Sequence, residues 1–185
     1  GPGPRSHGIG QAHERIADGQ RRAHDDGGYR VAQADGHRPL RNNGRGIYVE
    51  SAAGARIQGN EIRNNTSDGV YLNSTSGVLV SANKIHDNRD RGLYNYSGSS
   101  GQVTGNEIYN QSSQGIQNYY GGIVFEGNLL HHNATGFEGS NNGILRGNWV
   151  YANTTGISGY DLLLEGNRVF SNSVGIVDTG YSRIV

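Results

Sequence analysis

Six tyrosines are the residues in this sequence whose type and spacing could bind a ligand. They are Tyr48, Tyr71, Tyr94, Tyr96, Tyr119 and Tyr160. The first three follow one another at intervals of 23 residues, and Tyr96 and Tyr119 are separated by the same interval. A phenol ring offers a flat apolar surface and one hydroxyl group, so aligned tyrosines can lie under sugar rings and hydrogen-bond to them. The interval must match a structural repeat if these rings are to share one face.

Glu138 and His131 are the candidates for acid–base catalysis, which needs a carboxylate or an imidazole that can exchange a proton. Many other charges recur at the repeat interval with alternating sign, as Arg45, Asp68 and Arg91 do. Such a series predicts ion pairs between neighbouring repeats. Glu138 belongs to no such series, so its carboxylate stays available for another role.

His131 is followed directly by His132. Successive residues of a strand point to opposite faces, so we expect the two imidazoles to diverge. The sequence therefore predicts no metal site at this pair, and we expect no metal and no cofactor elsewhere. The chain contains no cysteine, which excludes disulfides, thiol catalysis and thiolate metal ligands.

One short motif recurs six times and sets the positions of all these candidates. It consists of a small residue, Asn, a variable residue and an aliphatic residue, with the asparagines at Asn60, Asn83, Asn106, Asn128, Asn148 and Asn167. These asparagines are 19 to 23 residues apart, and each motif is followed by a polar turn and then by Gly and an apolar residue. A repeat of this length is typical of a solenoid, in which each repeat packs only on its neighbours.

Each repeat contains three short apolar runs separated by turns. Alternation within each run predicts which side chains point inward, and the inward residues form three apolar columns along the chain. Equivalent positions must therefore stack, as parallel strands do in a coil with a rise of ~4.8 Å. The sequence predicts an all-β parallel β-helix with three short strands per coil and coils of 19 to 23 residues.

A second set of amides lies just after the first strand of each repeat. Each of these amides comes three residues after the inward aliphatic residue of that strand. Its members are Asn65, Asn88, Gln111, Asn133, Asn153 and Asn172. Stacked amides at a turn can bond to the backbone and to the amide of the next coil, which satisfies polar groups that would otherwise be buried unpaired. We expect this set to form a structural ladder.

The same register places the tyrosines on the outward side of the second strand. Tyr48, Tyr71 and Tyr94 share one outward column with Glu138, and Tyr96, Tyr119 and Tyr160 share the next. Tyrosine also favours strands and stacks on itself, so ligand binding and simple stacking both remain open. A second outward aromatic column, expected to be a packing ladder, contains Tyr109, His131, Tyr151 and Phe170.

The Gly-Asn-x-Ile-x-x-Asn motif with its following Gly-Ile resembles the right-handed parallel β-helix repeat family of the pectin-lyase-like superfamily, over roughly residues 42–185. The resemblance implies a right-handed coil, the hand that parallel crossovers also favour. It further implies a relationship to polysaccharide lyases, mannuronan epimerases and surface proteins. The enzymes of this superfamily act on an outward face of the coil. The Asp-Pro-His motif of the epimerases and the nonapeptide calcium repeat are both missing from the sequence.

The chain divides into two parts by composition. Residues 1–41 are polar and contain two decayed copies of the repeat, so they are expected to be degenerate coils or a poorly ordered segment. Residues 42–185 form the predicted β-helix, which stops in the middle of a coil and leaves an uncapped end. An open edge invites pairing, so end-to-end self-association is one possible role.

Composition narrows the function classes. The formal net charge is zero, which argues against a nucleic-acid partner, and no apolar run is long enough to span a membrane. We predict a carbohydrate-contacting module of an exported bacterial protein, located outside the cell or on its surface, which binds polysaccharide through the tyrosines. The alternatives are a fragment of a polysaccharide lyase, epimerase or hydrolase, and a structural module that stacks end to end.

Overall fold

A computed structural model describes residues 33–35, 44–141 and 143–185. Over these residues the chain is an all-β solenoid of about six turns without a helix, which confirms the predicted parallel β-helix. The expectations for residues 1–32 and 36–41 lie outside the described residues. The described part of the chain contains no helix of the length and apolarity that crossing a bilayer demands.

The strands are short and follow one another in a fixed rhythm. The first ten are β1 (Gln33–Asp35), β2 (Ile47–Glu50), β3 (Arg56–Gln58), β4 (Glu61–Arg63), β5 (Val70–Asn73), β6 (Val78–Ser81), β7 (Lys84–His86), β8 (Leu93–Ser97), β9 (Ser99–Thr104) and β10 (Glu107–Tyr109). The others are β11 (Gln114–Asn118), β12 (Gly121–Glu126), β13 (Leu129–His131), β14 (Thr135–Gly139), β15 (Ile144–Arg146), β16 (Trp149–Tyr151), β17 (Thr155–Gly159), β18 (Leu163–Glu165), β19 (Arg168–Phe170), β20 (Val174–Asp178) and β21 (Arg183–Ile184).

From β2 onward every third strand joins the same parallel sheet, so the chain winds around three sheets. Sheet A has the order β1-β3-β6-β9-β12-β15-β18-β21, sheet B the order β4-β7-β10-β13-β16-β19, and sheet C the order β2-β5-β8-β11-β14-β17-β20. Strand β1 extends sheet A by pairing Ala34 with Ile57, one coil before the strong repeat.

The three predicted inward columns meet in the centre and form one core. They are Ile57, Val80, Val103, Phe125, Leu145 and Leu164 in sheet A, Ile62, Ile85, Ile108, Leu130, Val150 and Val169 in sheet B, and Val70, Leu93, Ile116, Phe137, Ile157 and Ile176 in sheet C. Most of these side chains are fully buried, and Val169 packs against them while partly buried. Burial of this apolar stripe between coils holds a lean sequence in one fold.

Two amide ladders close the turns on either side of sheet B. In the first, Asn83 Nδ2 donates to Asn106 Oδ1 at 2.9 Å and to the Ile57 carbonyl at 2.8 Å. In the second, the predicted ladder, Asn88 Nδ2 donates to Gln111 Oε1 at 3.0 Å. Each amide thus satisfies polar groups of the neighbouring coils, which confirms the structural role expected for these residues.

Close packing requires the glycine at the start of every sheet C strand but the last, where a Cβ atom at Gly175 would contact no atom of the described residues. A Cβ atom at Gly69 would lie 2.6 Å from Ile85 Cγ2 and 2.7 Å from the Gly92 carbonyl oxygen. Any larger residue would therefore push adjacent coils apart, and the constraint keeps the outward residues of sheet C in register.

Candidate ligand-binding face

The predicted tyrosines gather on the outward side of sheet C. Tyr48 pairs with Tyr71 and Tyr71 with Tyr94, so these three occupy equivalent positions in successive coils. A register shift between Leu72 and Asn73 makes Tyr96 an extra residue, whose ring stacks on those of Tyr71 and Tyr119. We call the tyrosine face the set Tyr48, Tyr71, Tyr94, Tyr96, Tyr119 and Tyr120.

The rings of the tyrosine face adopt two orientations. Tyr48 and Tyr71 are stacked at 5.2 Å between centroids, and Tyr96 and Tyr119 are stacked at 6.4 Å. Tyr94 stands edge-on to Tyr71 at 82°, and Tyr120 stands edge-on to Tyr119 at 86°. The two orientations give the surface both ring faces and phenol edges, which a polyhydroxylated ligand can contact.

Exposure separates the tyrosines that can meet a ligand from those that support them. The exposed fractions are 47% for Tyr48, 44% for Tyr96, 49% for Tyr119 and 48% for Tyr120, whereas Tyr71 is only 8% exposed. Tyr94 is half-buried. Tyr160 is exposed in the same column as Tyr119 but two coils further on, with Ser140 between them.

Two arginines lie against the tyrosine rings and share one buried carboxylate. The Arg45 guanidinium lies 3.8 Å from the Tyr71 ring centroid, and that of Arg91 lies 3.7 Å from the Tyr94 centroid. Asp68, whose side chain is fully buried, accepts from Arg45 Nε at 3.2 Å and from Arg91 Nε at 2.8 Å. The predicted ion-pair series is confirmed here, and it fixes the inner tyrosines through cation–π contacts.

Burial raises the pKa of the Tyr71 and Tyr94 hydroxyls, although the nearby arginines partly oppose this. A hydrogen bond to Glu50, with burial as the next cause, raises the pKa of Tyr48. These phenols therefore stay protonated at neutral pH. Each can donate a hydrogen bond as well as accept one.

Glu138 is held in place by two amides of the preceding coil. Gln114 Nε2 donates to one of its oxygens and Gln117 Nε2 to the other, both at 2.8 Å. Gln117 in turn accepts a hydrogen bond from Arg91 Nη1 at 2.7 Å. Glu138 thus ends a polar chain that begins at Arg91 and borders the tyrosines.

Two buried asparagines hold the segment that contains Tyr119 and Tyr120. Asn95 and Asn118 occupy inward positions that Val49 and Leu72 fill in earlier coils. Asn95 Nδ2 donates to Asn118 Oδ1 at 2.7 Å and to the Tyr120 carbonyl at 2.9 Å. The pair therefore anchors the backbone beneath the most exposed rings.

His131, the other catalytic candidate, lies on sheet B, away from the tyrosine face. It belongs to a continuous stack that we call the aromatic ladder, which comprises His86, Tyr109, His131, Tyr151 and Phe170. Burial lowers the pKa of His131, while a contact with Glu107 at 3.4 Å opposes this. The structure does not bring His131 and Glu138 to one face, so they form no acid–base pair.

The expectation that His131 and His132 diverge is wrong. His132 has a positive φ of 54°, which ends the strand alternation and turns its side chain back. Their Nδ1 atoms lie 2.8 Å apart, so one ring donates to the other. Among the residues that the structure describes, no group of three His, Asp or Glu side chains is arranged to bind a metal ion.

Sequence reasoning missed Tyr120, the arginines over the rings and His86 in the aromatic ladder. The spacing of Arg45 and Tyr48, repeated by Arg91 and Tyr94, is a signal for the cation–π contacts. Nothing in the repeat pattern marks Tyr120, because it follows the strand at an irregular turn.

A family model described as the right-handed β-helix region matches residues 45–185. Among solved structures, the periplasmic alginate epimerase AlgG matches with a TM-score of 0.60 at 21% identity, over 75% of this chain and 35% of that chain. The A-module of the mannuronan C-5 epimerase AlgE4 from Azotobacter vinelandii matches with a TM-score of 0.59 at 16% identity, over 76% of this chain and 54% of that chain.

The A-module of AlgE6 from the same organism matches with a TM-score of 0.50 at 16% identity, over 78% of this chain and 56% of that chain. The chain therefore spans 35% of the length of the first of these proteins and little more than half of the other two. No curated protein sequence matches the chain. At these identities the likeness concerns the fold.

Proposed function

Because this chain belongs to the right-handed β-helix family, we propose that it is a noncatalytic module that binds polysaccharide on the tyrosine face. The main supporting observation is the exposure of Tyr48, Tyr96, Tyr119 and Tyr120, each more than two-fifths exposed within a few consecutive coils. An exposed group of aromatic residues of this kind marks a contact surface.

The support beneath the rings favours binding over incidental exposure. Asp68 and the two arginines fix Tyr71 and Tyr94, and Asn95 fixes the backbone at Tyr120. A surface whose rings are held in place before the ligand arrives loses less conformational entropy on binding. Polar groups at its border, such as Gln117 and Asn73, can bond to sugar hydroxyls.

A catalytic role receives less support. Both oxygens of Glu138 accept amide hydrogen bonds, and His131 lies on another sheet. The likeness to alginate and mannuronan epimerases supports a polysaccharide ligand and, through the periplasmic epimerase, a location outside the cytoplasm. We accordingly propose that the protein is exported from a bacterial cell.

Binding of soluble polysaccharides, measured by affinity electrophoresis and calorimetry, tests this proposal. The double variant Tyr96→Ala/Tyr119→Ala is expected to weaken binding about 5- to 150-fold, because each lost aromatic contact is worth about 0.5–1.5 kcal/mol. Tyr151→Ala, on the aromatic ladder, is the control and should bind as the parent does.

Equal binding by the parent and the double variant would contradict the tyrosine face as the binding site. Release of unsaturated uronates, detected by ultraviolet absorbance, would instead indicate a lyase and would contradict the noncatalytic assignment.

A further inference from the structure

We propose that the ligand of the tyrosine face is an uncharged polysaccharide rather than a polyuronate. This inference rests on the proposed function, because it concerns the same surface. It would distinguish the chain from the alginate epimerase of similar fold, since alginate is a polyuronate. The charges beside the rings support it.

Both arginines beside the tyrosine face already form an ion pair with Asp68, and Arg91 has further partners. All three nitrogens of Arg91 donate within the protein: Nε to Asp68, Nη1 to Gln117 and Nη2 to Asp90, at 2.7–2.8 Å. Although burial disfavours its charged form, Asp68 and Asp90 outweigh this and raise the pKa of Arg91. Arg45 Nε also donates to Asp68, and its guanidinium lies over the Tyr71 ring. Three of the five N–H groups of Arg91 are thus committed, and its side chain is only 19% exposed, so a uronate carboxylate has little access for a bidentate pair with it.

Carboxylates outnumber arginines beside the rings: Glu50 is exposed and Glu138 half-buried, while Asp68 is buried between the two arginines. In the described outward columns of sheet C and the positions that precede their glycines, Arg45 and Arg91 face three carboxylates, those of Glu50, Asp68 and Glu138. Glu50 is exposed one column from Tyr48, and Glu138 lies beside Gln117 in the column that continues from Tyr94. Like charges at this range repel an approaching polyanion, and the repulsion grows at low salt.

The remaining polar groups suit neutral hydroxyls. Asn73 donates to Glu50 at 2.8 Å, and the pair lies next to the stacked rings of Tyr48 and Tyr71. The phenols are protonated donors and acceptors. Sugar hydroxyls also donate and accept, so they can bond to amides, phenols and carboxylates alike, whereas a uronate carboxylate can only accept.

A two-part panel tests the inference. Laminarin, galactomannan and xyloglucan serve as neutral polysaccharides, and alginate and polygalacturonate as polyuronates, each measured at low and at physiological salt. We expect binding to at least one neutral polysaccharide that changes less than twofold with salt, and at least tenfold weaker binding to both polyuronates. The double variant Glu50→Gln/Glu138→Gln should narrow this difference by improving polyuronate binding; it loses one of the two amide hydrogen bonds that Glu138 accepts, so thermal unfolding is used to verify that it remains folded.

The outcomes separate the two proposals. Preference for a polyuronate, lost on Tyr96→Ala/Tyr119→Ala, would overturn the neutral ligand and leave the tyrosine face as a binding site. Failure of every polysaccharide to bind would overturn the proposed function together with this inference. An unchanged preference in the Glu50→Gln/Glu138→Gln variant would show that these carboxylates do not repel polyuronates, and it would overturn the electrostatic basis of the preference.

Discussion

The tyrosine face and the aromatic ladder are built from the same repeat, at outward positions of neighbouring sheets, yet they present their rings differently. In the aromatic ladder the neighbouring rings are 4.7–5.2 Å apart with interplanar angles of 3–16°. Each ring face therefore covers the next, so within the stack mainly the edges meet solvent, while Phe170 at its end is 44% exposed. In the tyrosine face, two rings stand at 82–86° to their neighbours, and four tyrosines are strongly exposed.

The difference arises from departures from strict repetition. The aromatic ladder has one aromatic residue per coil at the same position, so each ring stacks on the rings of the neighbouring coils. The tyrosine face combines two columns, a register shift at Leu72 and Asn73, and an irregular turn at Tyr120. Regular columns produce packing surfaces, whereas local irregularities expose ring faces.

We expect the largest effect from removal of the carboxylate beneath the tyrosine face. Asp68→Ala should lower the free energy of unfolding by about 3 kcal/mol, because the buried partner of two arginines is lost. Glu107→Ala is the matched control beneath the aromatic ladder, where the carboxylate is half-exposed and contacts Lys84 at 3.7 Å. Its loss should cost less than about 1 kcal/mol. Urea denaturation followed by circular dichroism measures the free energy of unfolding of both variants. Equal losses would show that the two carboxylates stabilise their surfaces to the same extent.

The next prediction compares two buried amides, of which both stabilise the fold but only one is expected to affect polysaccharide binding. Asn95→Ala should cost about 2 kcal/mol, because Asn118 and the Tyr120 carbonyl lose a buried donor, and it should also weaken polysaccharide binding. The control is Asn128→Ala, which removes a buried amide of the first amide ladder, outside the turn that contains Tyr120. The Nδ2 atom of Asn128 donates to Asn148 Oδ1 at 3.0 Å. A similar loss of stability with unchanged binding is expected there. If both variants bind equally well, Asn95 does not position Tyr120.

A smaller effect is expected when one ring of each surface is replaced by alanine. Tyr151→Ala should lower the free energy of unfolding by about 1–2 kcal/mol, because it interrupts stacks with His131 and Phe170, and should leave binding intact. Tyr119→Ala should cost about 0.5 kcal/mol, because its ring is half-exposed, and should weaken binding. Thermal unfolding and calorimetry of the two variants test this, and a reversed order would mean that the tyrosines only stack.

The repeat makes the architecture predictable, because core columns and amide ladders depend on spacing alone. The inward residues from Ile57 to Leu164 and the ladder from Asn65 to Asn172 follow from counting. The same counting places the outward tyrosines in sheet C. It cannot predict that Tyr71 is buried, which depends on how Arg45 lies over its ring.

Strand alternation also fails where the backbone leaves the strand conformation. It predicts His132 opposite His131, but a positive φ brings the rings together. The partners of Glu138 are likewise hidden, since glutamines of the preceding coil give no charge pattern. Side-chain contacts at irregular positions therefore need the structure, while the repeated positions do not.

The smallest expected effect is a pH dependence confined to the aromatic ladder. Burial lowers the pKa of His131 below its ordinary value of 6.5, so the unfolded chain binds more protons than the folded chain just below that pH. Stability should therefore decrease as pH falls from about 7.5 to 5.5. The His131→Phe variant keeps a stacked ring but cannot titrate, so its decrease should be smaller.

Urea midpoints of the parent and His131→Phe across this pH range measure the difference, which cancels the contributions of the histidines that do not contact His131. Polysaccharide binding should stay constant over the same range, because the raised pKa values of Tyr48, Tyr71 and Tyr94 keep the phenols protonated. Identical pH profiles of the two proteins would show that the His131 imidazole is as free to protonate in the folded chain as in the unfolded one. In that case the close stacking of the aromatic ladder would not desolvate its rings, and the contrast with the tyrosine face would rest on ring orientation alone.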